Sequence, residues 1–319
     1  MAELLYLTRR EVEGLGLTVR DMTGRLRKLL KGAAAGTARN TPKRAINRAD
    51  GRLYMSMLAS ADDPPRFATK SLGLSPANAE RGLPSIGALI CLHDSETGQP
   101  IAVMDGDWIT GVRTAALSAL AAEEMAREDA AVIAFVGAGV QARCHLELFA
   151  QMFPLAEVRI LGRGRANIDR LAEMARGMEL TVVEPADAEA GLRGADIVVS
   201  SVTPTPDLPR FLSPEWLSPG AFVTAVELAR AWDVDRLAGR ARVVVDDAAQ
   251  EREMEDPLVP PALIAGDLAG LATGATPGRG SSTGVEFFAF RGLAMGDLAL
   301  ATLCAERAEA AGVGTRLPR

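Results

Sequence analysis

Ala131-Val-Ile-Ala-Phe-Val-Gly137-Ala-Gly139-Val-Gln-Ala142-Arg143 is an apolar run that ends in a glycine turn and opens into a helix. The run 131–136, bounded by Gly137, reads as a strand buried on both faces, the pattern of a parallel sheet. The spacing Gly137-x-Gly139-x-x-Ala142 is that of a dinucleotide-binding turn, and each position has its own reason. Gly137 makes the tight turn, Gly139 lets a pyrophosphate approach the backbone, and Ala142 lets the helix close on the strand. The helix N-terminus, from Val140 and Gln141 onward, then offers free N–H groups and a positive dipole end to the phosphates.

The context agrees, with a helix expected over 141–152 and a second strand over 157–161. The end of that second strand normally meets the adenine ribose, about 20 residues beyond the glycines, through an acid that accepts from the 2′-hydroxyl. Here the sequence reads Gly162-Arg163-Gly164-Arg165. An acid would repel a 2′-phosphate, whereas Arg163 or Arg165 can fork onto one with charge-assisted hydrogen bonds. The preferred cofactor is therefore NADP(H), with NAD(H) the alternative.

Working outward, strand and helix signals alternate: helix 167–178, strand 180–184, helix 186–192, strand 196–200, a proline-rich loop 203–209, then strands 221–227 and 241–245. This is an α/β chain with a Rossmann-type doubly wound parallel sheet. Upstream, a short strand at 4–7 precedes helical spacing at Val19, Met22, Leu26 and Leu30, which Lys31-Gly-Ala-Ala-Ala-Gly-Thr37 is expected to break. Strands are expected over 44–48, 52–59, 67–72, 86–93 and 100–104, separated by Asp, Asn, Gly and Pro turns. An alanine-rich helix over 111–127 follows, with Thr110 as its N-cap. Arg113 then falls in a first turn where the dipole disfavours a cation, which points to an anionic partner. The last helix is expected over 292–311. The domain reading is a mixed α+β lobe over 1–112 and 291–319 around a Rossmann domain at 113–290.

Bulk properties narrow the function. A chain of 319 residues, 48% hydrophobic and 24% charged, suits a two-domain globular protein. A net charge of −6 and 4% aromatics argue against nucleic acid as a partner. No apolar run approaches the roughly 18 residues of a membrane helix, and the start Met1-Ala-Glu-Leu-Leu lacks a basic leader, so the expected location is the cytoplasm. Cys91, Cys144 and Cys304 form no C-x-x-C pair, and His93 and His145 are the only histidines, so no metal site or histidine triad is expected. His145 reads as a packed residue of the cofactor domain.

Further stretches carry a resemblance. They are Lys70, Pro76-Ala-Asn78, Arg81-Gly-Leu-Pro84, Asp94-Ser-Glu-Thr-Gly98, Met104-Asp-Gly106, Thr110-Gly-Val-Arg113-Thr-Ala-Ala116, Gly137-Ala-Gly-Val-Gln-Ala-Arg143, Gly278-Arg279 and Gly292-Leu-Ala-Met-Gly-Asp297-Leu-Ala. Together they resemble the ornithine cyclodeaminase and mu-crystallin family across nearly the whole chain. The resemblance implies a substrate-binding and dimerisation lobe that takes back the C-terminal helix, a homodimer, a nicotinamide cofactor, and small imino, amino or keto acid substrates. It places Arg44, Lys70 and Arg113 on the substrate, Lys70 and Arg113 as catalytic; the pocket for the substrate side chain is expected to be lined by Met57 with Met55, Leu72 and the 226–232 loop. The cofactor is expected at Thr110, Gly137, Gly139, Val140, Gln141, Arg163, Arg165 and Val202. The residue types suit the chemistry, because a 2-imino acid needs a bidentate cation for its carboxylate and a proton donor near nitrogen.

One departure bears on the reaction. Cyclodeaminases of the family carry an aspartate shortly after the strand that here leads from Pro219-Gly220 to Asp233, and the alignment puts Ala229 in its place. Glu227 and Asp233 are the nearby acids that a bent loop would bring in. The expectation is an NADPH-dependent reductase of small cyclic or linear 2-imino acids. A cyclodeaminase that releases ammonia with bound NAD, an amino acid dehydrogenase, and a non-catalytic NADPH-binding protein are the alternatives.

Overall fold

The structure is a computed structural model that describes residues 3–319 except 204, 206, 281 and 282, and except the side chain of 79. Two prolines of the loop at 203–209 thus lie outside the described residues. The chain forms two compact units, one reaching to Arg113 and including Leu293–Arg319, the other Thr114–Gly292.

The chain opens with β1 (Glu3–Leu7), α1 (Arg9–Glu13) and α2 (Val19–Ala34). Both helices start at capping boxes, Thr8 with Glu11 and Thr18 with Asp21, each side chain satisfying the other's free N–H. The expected break at Lys31 does not occur, because Ala33 and Ala34 are strong helix formers and carry α2 another turn. Then come β2 (Ala38–Asn40), β3 (Arg44–Asn47), β4 (Leu53–Asp62), β5 (Pro65–Leu74), β6 (Ile86–Asp94) and β7 (Pro100–Asp105).

Helix α3 runs from Gly106 to Met125, so Thr110 is not its cap. Asp105 starts it instead, its Oδ1 accepting the N–H groups of Asp107 and Trp108 at 3.1 and 3.2 Å. Arg113 is the eighth residue of α3 and not in its first turn, so the charge of the helix end does not explain it.

The second unit holds β8 (Val132–Val136), α4 (Val140–Phe149), β9 (Glu157–Leu161), α5 (Arg165–Gly177), β10 (Thr181–Val183), α6 (Ala188–Leu192), β11 (Ile197–Ser200), β12 (Phe222–Ala225), β13 (Ala241–Val245), α7 (Ala248–Glu253), β14 (Ile264–Asp267), α8 (Leu268–Thr273) and β15 (Val285–Ala289). These eight strands form one parallel sheet in the order β10-β9-β8-β11-β12-β15-β13-β14. The alternating signals read from the sequence do not include α7, β14, α8 or β15, yet β15 lies inside the sheet between β12 and β13. Its Glu286 interrupts the apolar run Val285-x-Phe-Phe-Ala289 and hides it from a pattern search. In the sheet that carboxylate is paired at 2.8 Å with Arg242, its register partner on β13.

The chain ends with α9 (Ala294–Ala311) and β16 (Thr315–Pro318), both in the first unit. The first unit's sheet has the order β16-β1-β7-β6-β5-β4-β2, with β3 also on β4. Helix α9 packs against β4, β5, β6 and α2 and is buried over nearly its whole length. Alternation along the strands divides the sheet into two faces. A cross-strand row Leu7, Met104, Ile90, Lys70, Met57 lies on the buried face. The neighbouring row Tyr6, Val103, Cys91, Thr69, Leu58 lies on the other.

Candidate active site

Lys70 is the one charged residue in that buried row, 1% exposed in the middle of β5. Its Nζ donates to Asp297 Oδ1 of α9 at 2.8 Å. Arg113 of α3, also buried, brings its Nε to 3.3 Å from the same oxygen. Helix α9 can come this close because residue 296 is glycine; a Cβ there would stand 2.9 Å from Arg113 Cδ. Burial, with Arg113 beside it, lowers the Lys70 pKa from 10.5 to about 8, against the opposing pull of Asp297. A lysine titrating there can both give and take a proton near neutral pH. Met57 pairs with Lys70 across the strands and is buried against it.

Arg44 does not join this group. It is exposed and pairs with Ser56, whose side chain points to the sheet face opposite Met57 and Lys70. The cause is one extra residue. Asn40 pairs with Ala59 and Arg44 with Ser56, so four steps of one strand oppose three of the other. Pro42, which lacks the N–H a ladder needs, sits in that interval, and a slip of one residue reverses the face. The half-buried neighbour Lys43 acts electrostatically on Lys70 instead. Neither Lys43 nor the role of Asp297 is legible in the sequence, although Asp297 lies in a stretch that carries the resemblance.

In the second unit the glycine turn is built as its spacing implies. Gly137 has φ +102°, and a Cβ on it would lie 2.8 Å from the Ser201 carbonyl carbon and oxygen and 3.0 Å from the Val202 nitrogen. Around Gly139 a Cβ would meet nothing within 4 Å. Gly139 is also the N-cap of α4 and supplies no side-chain cap, Ala142 is fully buried beneath it, and Val140 is exposed at the helix start. Gln141 Oε1 is buried with no hydrogen-bond partner among the described residues. An open approach and uncapped N–H groups fit a dinucleotide pyrophosphate.

The two arginines after β9 differ. Arg165 is already engaged, with Asp169 Oδ1 at 2.8 Å and Glu184 at 2.7 and 2.9 Å. Arg163 is exposed and has no partner among the described residues. His145 is packed: Nδ1 faces the Gln141 carbonyl oxygen at 2.7 Å, so it carries the proton, and Nε2 accepts from Ser118 Oγ at 2.8 Å. Burial lowers its pKa to about 4, which keeps it neutral.

A family model, "Ornithine cyclodeaminase/mu-crystallin family", matches residues 3–312. The chain belongs to that family. It is 33% identical to the ketimine reductase mu-crystallin of Mus musculus over 78% of each chain. Its structure is similar to that of the Thermococcus litoralis Δ1-pyrroline-2-carboxylate reductase in complex with NADH and L-proline, with TM-score 0.88, 26% identity, and coverage of 98% of this chain and 100% of that one. It is also similar to an archaeal alanine dehydrogenase dimer with bound NAD, with TM-score 0.85, 25% identity and 99% coverage of both chains. Cyclodeaminases are among the relatives too.

The position that the resemblance sets against the cyclodeaminase aspartate is Ala229. Leu228 and Ala229 adopt φ of 62° and 54°, a left-handed pair that bends the chain directly after Glu227. The bend does not free a carboxylate. Glu227 is 3% exposed and accepts from Ser200 Oγ at 3.0 Å, while Ser200 accepts from Trp232 Nε1 at 2.8 Å. Burial raises the Glu227 pKa to about 8, so it stays protonated at neutral pH. Asp233 is held by Arg236 at 2.8 Å.

Because the folded state keeps the Glu227 proton to higher pH than the unfolded chain, its contribution to stability is present below the ordinary carboxyl value of 4.5 and is lost as pH rises to about 8. Glu227→Gln should abolish that part of the decline. Thermal melts of both proteins from about pH 5 to pH 9 test it. Parallel curves would refute the buried proton.

Proposed function

We propose that the protein is an NADPH-dependent reductase of small cyclic or linear 2-imino acids, forming the corresponding amino acids. The observation that carries this reading is the buried Lys70 beside Arg113, together with the lack of an available carboxylate at Ala229. Reduction of an imine needs a carboxylate clamp and a proton donor; deamination of a diamino acid needs a base as well. The nicotinamide cofactor, held at Gly137, Gly139, Val140 and Gln141 with Thr110 and Val202, supplies the hydride when bound. Arg113 holds the substrate carboxylate with its fork of donors, and Lys70 gives its proton to the substrate nitrogen. Met57 and Ile90 keep water away from the lysine stem.

Supporting the reading, relatives bearing the names ketimine reductase and Δ1-pyrroline-2-carboxylate reductase span most or all of the chain. The homodimer is supported by the outward sheet face, where Tyr6, Tyr54, Leu58 and Leu89 are all at least 38% exposed, and by the dimeric archaeal alanine dehydrogenase.

The test is NADPH oxidation with a five-membered cyclic imino acid, a six-membered one, and pyruvate or glyoxylate with ammonia or methylamine. Oxidation supports the reductase. Ammonia release from ornithine without net cofactor consumption would replace it with the cyclodeaminase.

The preference for NADPH rests on Arg163. Arg163→Ala is expected to lower the NADPH-to-NADH ratio of kcat/KM about tenfold or more, the worth of a charged hydrogen bond to a phosphate. Arg165→Ala, already paired with two carboxylates, should change the ratio less. A ratio unmoved by Arg163→Ala would remove that residue from cofactor choice.

A further inference from the structure

We infer that Asp297 is a positioning residue for the reaction, holding the Lys70 side chain charged and aimed for proton delivery. Its carboxylate is 1% exposed on the fourth residue of α9, and one oxygen serves both cations, at 2.8 Å from Lys70 Nζ and 3.3 Å from Arg113 Nε. The other oxygen, Oδ2, is buried with no hydrogen-bond partner among the described residues. A buried carboxylate is costly unless paired, so its retention between two cations is a strong local choice.

The charged groups that act on Lys70 come from three segments: Arg113 from α3, Lys43 from the segment before β3, and Asp297 from α9. Two of them, and burial itself, favour the neutral amine; Asp297 alone of these favours the ammonium. Without it the remaining influences on Lys70 all favour the neutral amine.

The inference rests on the imine-reductase reading. As hydride reaches the substrate carbon, the C=N π pair moves to nitrogen and takes a proton from Lys70 Nζ, leaving a neutral amine that solvent reprotonates.

The experiment compares wild type with Asp297→Asn by trace acetylation of Lys70 with acetic anhydride across pH, read by peptide mass spectrometry, alongside the pH profile of kcat/KM. The Lys70 midpoint should fall by about one pH unit or more, and the high-pH limb of kcat/KM should move with it. The loss of activity is then about fivefold or more at about pH 8 and smaller at about pH 6. An unchanged midpoint, or an equal loss at every pH, overturns the inference.

If the Asn variant does not fold, Asp297→Glu decides the matter. The charge is kept and displaced by one methylene, so the midpoint should hold while kcat falls and KM does not change. Wild-type kcat in that variant would refute positioning. Wild-type protein that oxidises NADPH with no imine refutes the reductase, and the acetylation midpoint, which needs no turnover, still judges Asp297.

Discussion

Lys70→Met should lower kcat/KM for imine reduction at least about 10²-fold while leaving NADPH affinity at its wild-type value. A positioned proton donor contributes roughly 10²–10⁴-fold, and methionine cannot donate. Methionine is chosen over alanine because the lysine stem lies in the buried row with Met57, Ile90 and Met104, where a truncated side chain would leave a cavity. The substitution also takes away Asp297's partner at 2.8 Å, but Arg113 at 3.3 Å remains to meet that charge. Melting curves will show a stability loss separately from the catalytic one, and cofactor titration reports on the other unit. Activity within tenfold of wild type, in a folded variant, would exclude Lys70 as the proton donor.

Gly137→Ala and Gly139→Ala form a pair with different expected outcomes. At Gly137 a methyl group must enter a space 2.8 Å from the Ser201 carbonyl and take a φ of +102°, both of which strain an L-residue. The end of β8 and the segment after β11 must part, at a cost of about 1–3 kcal/mol from the backbone alone. That variant should melt lower and lose at least about tenfold in affinity for NADPH and NADH alike. At Gly139 nothing lies within 4 Å of where the added methyl would stand, so the protein should melt as wild type. The methyl instead occupies the approach of the pyrophosphate, and affinity should fall without a change in stability. Wild-type NADPH affinity in Gly139→Ala would mean that the phosphates do not pass over this turn.

The parts of the protein legible in the sequence are those whose signal is local. The turn 137–142, the strands at 157–161 and 241–245, and the stripe Met22, Leu26 and Leu30 are legible from spacing alone and recur in the structure. The family is legible as well, because its motifs lie along the whole chain in order. Boundaries are less so where two residues could give the start signal. Thr110 has the chemistry of a cap, but Asp105 performs that function one turn earlier.

Composition, periodicity and turn chemistry by themselves determined an α/β protein with a dinucleotide turn, because each of those signals spans fewer than about twenty residues, whereas the cationic site in a separate lobe was implied by the family resemblance. The tertiary structure decided which charges meet. Lys70 and Asp297 are 227 residues apart in the chain, and no local pattern couples them. One extra residue beside Pro42 turned Arg44 to the opposite face, since side chains alternate with a period of two. Glu286 was hidden as a break in an apolar run until β13 supplied Arg242, and Arg165 was taken from the candidate phosphate site by Asp169 and Glu184. For Lys70, Glu286 and Arg165 the deciding energy is the pairing of a charge with its neighbour, and neighbours exist only once the chain has folded.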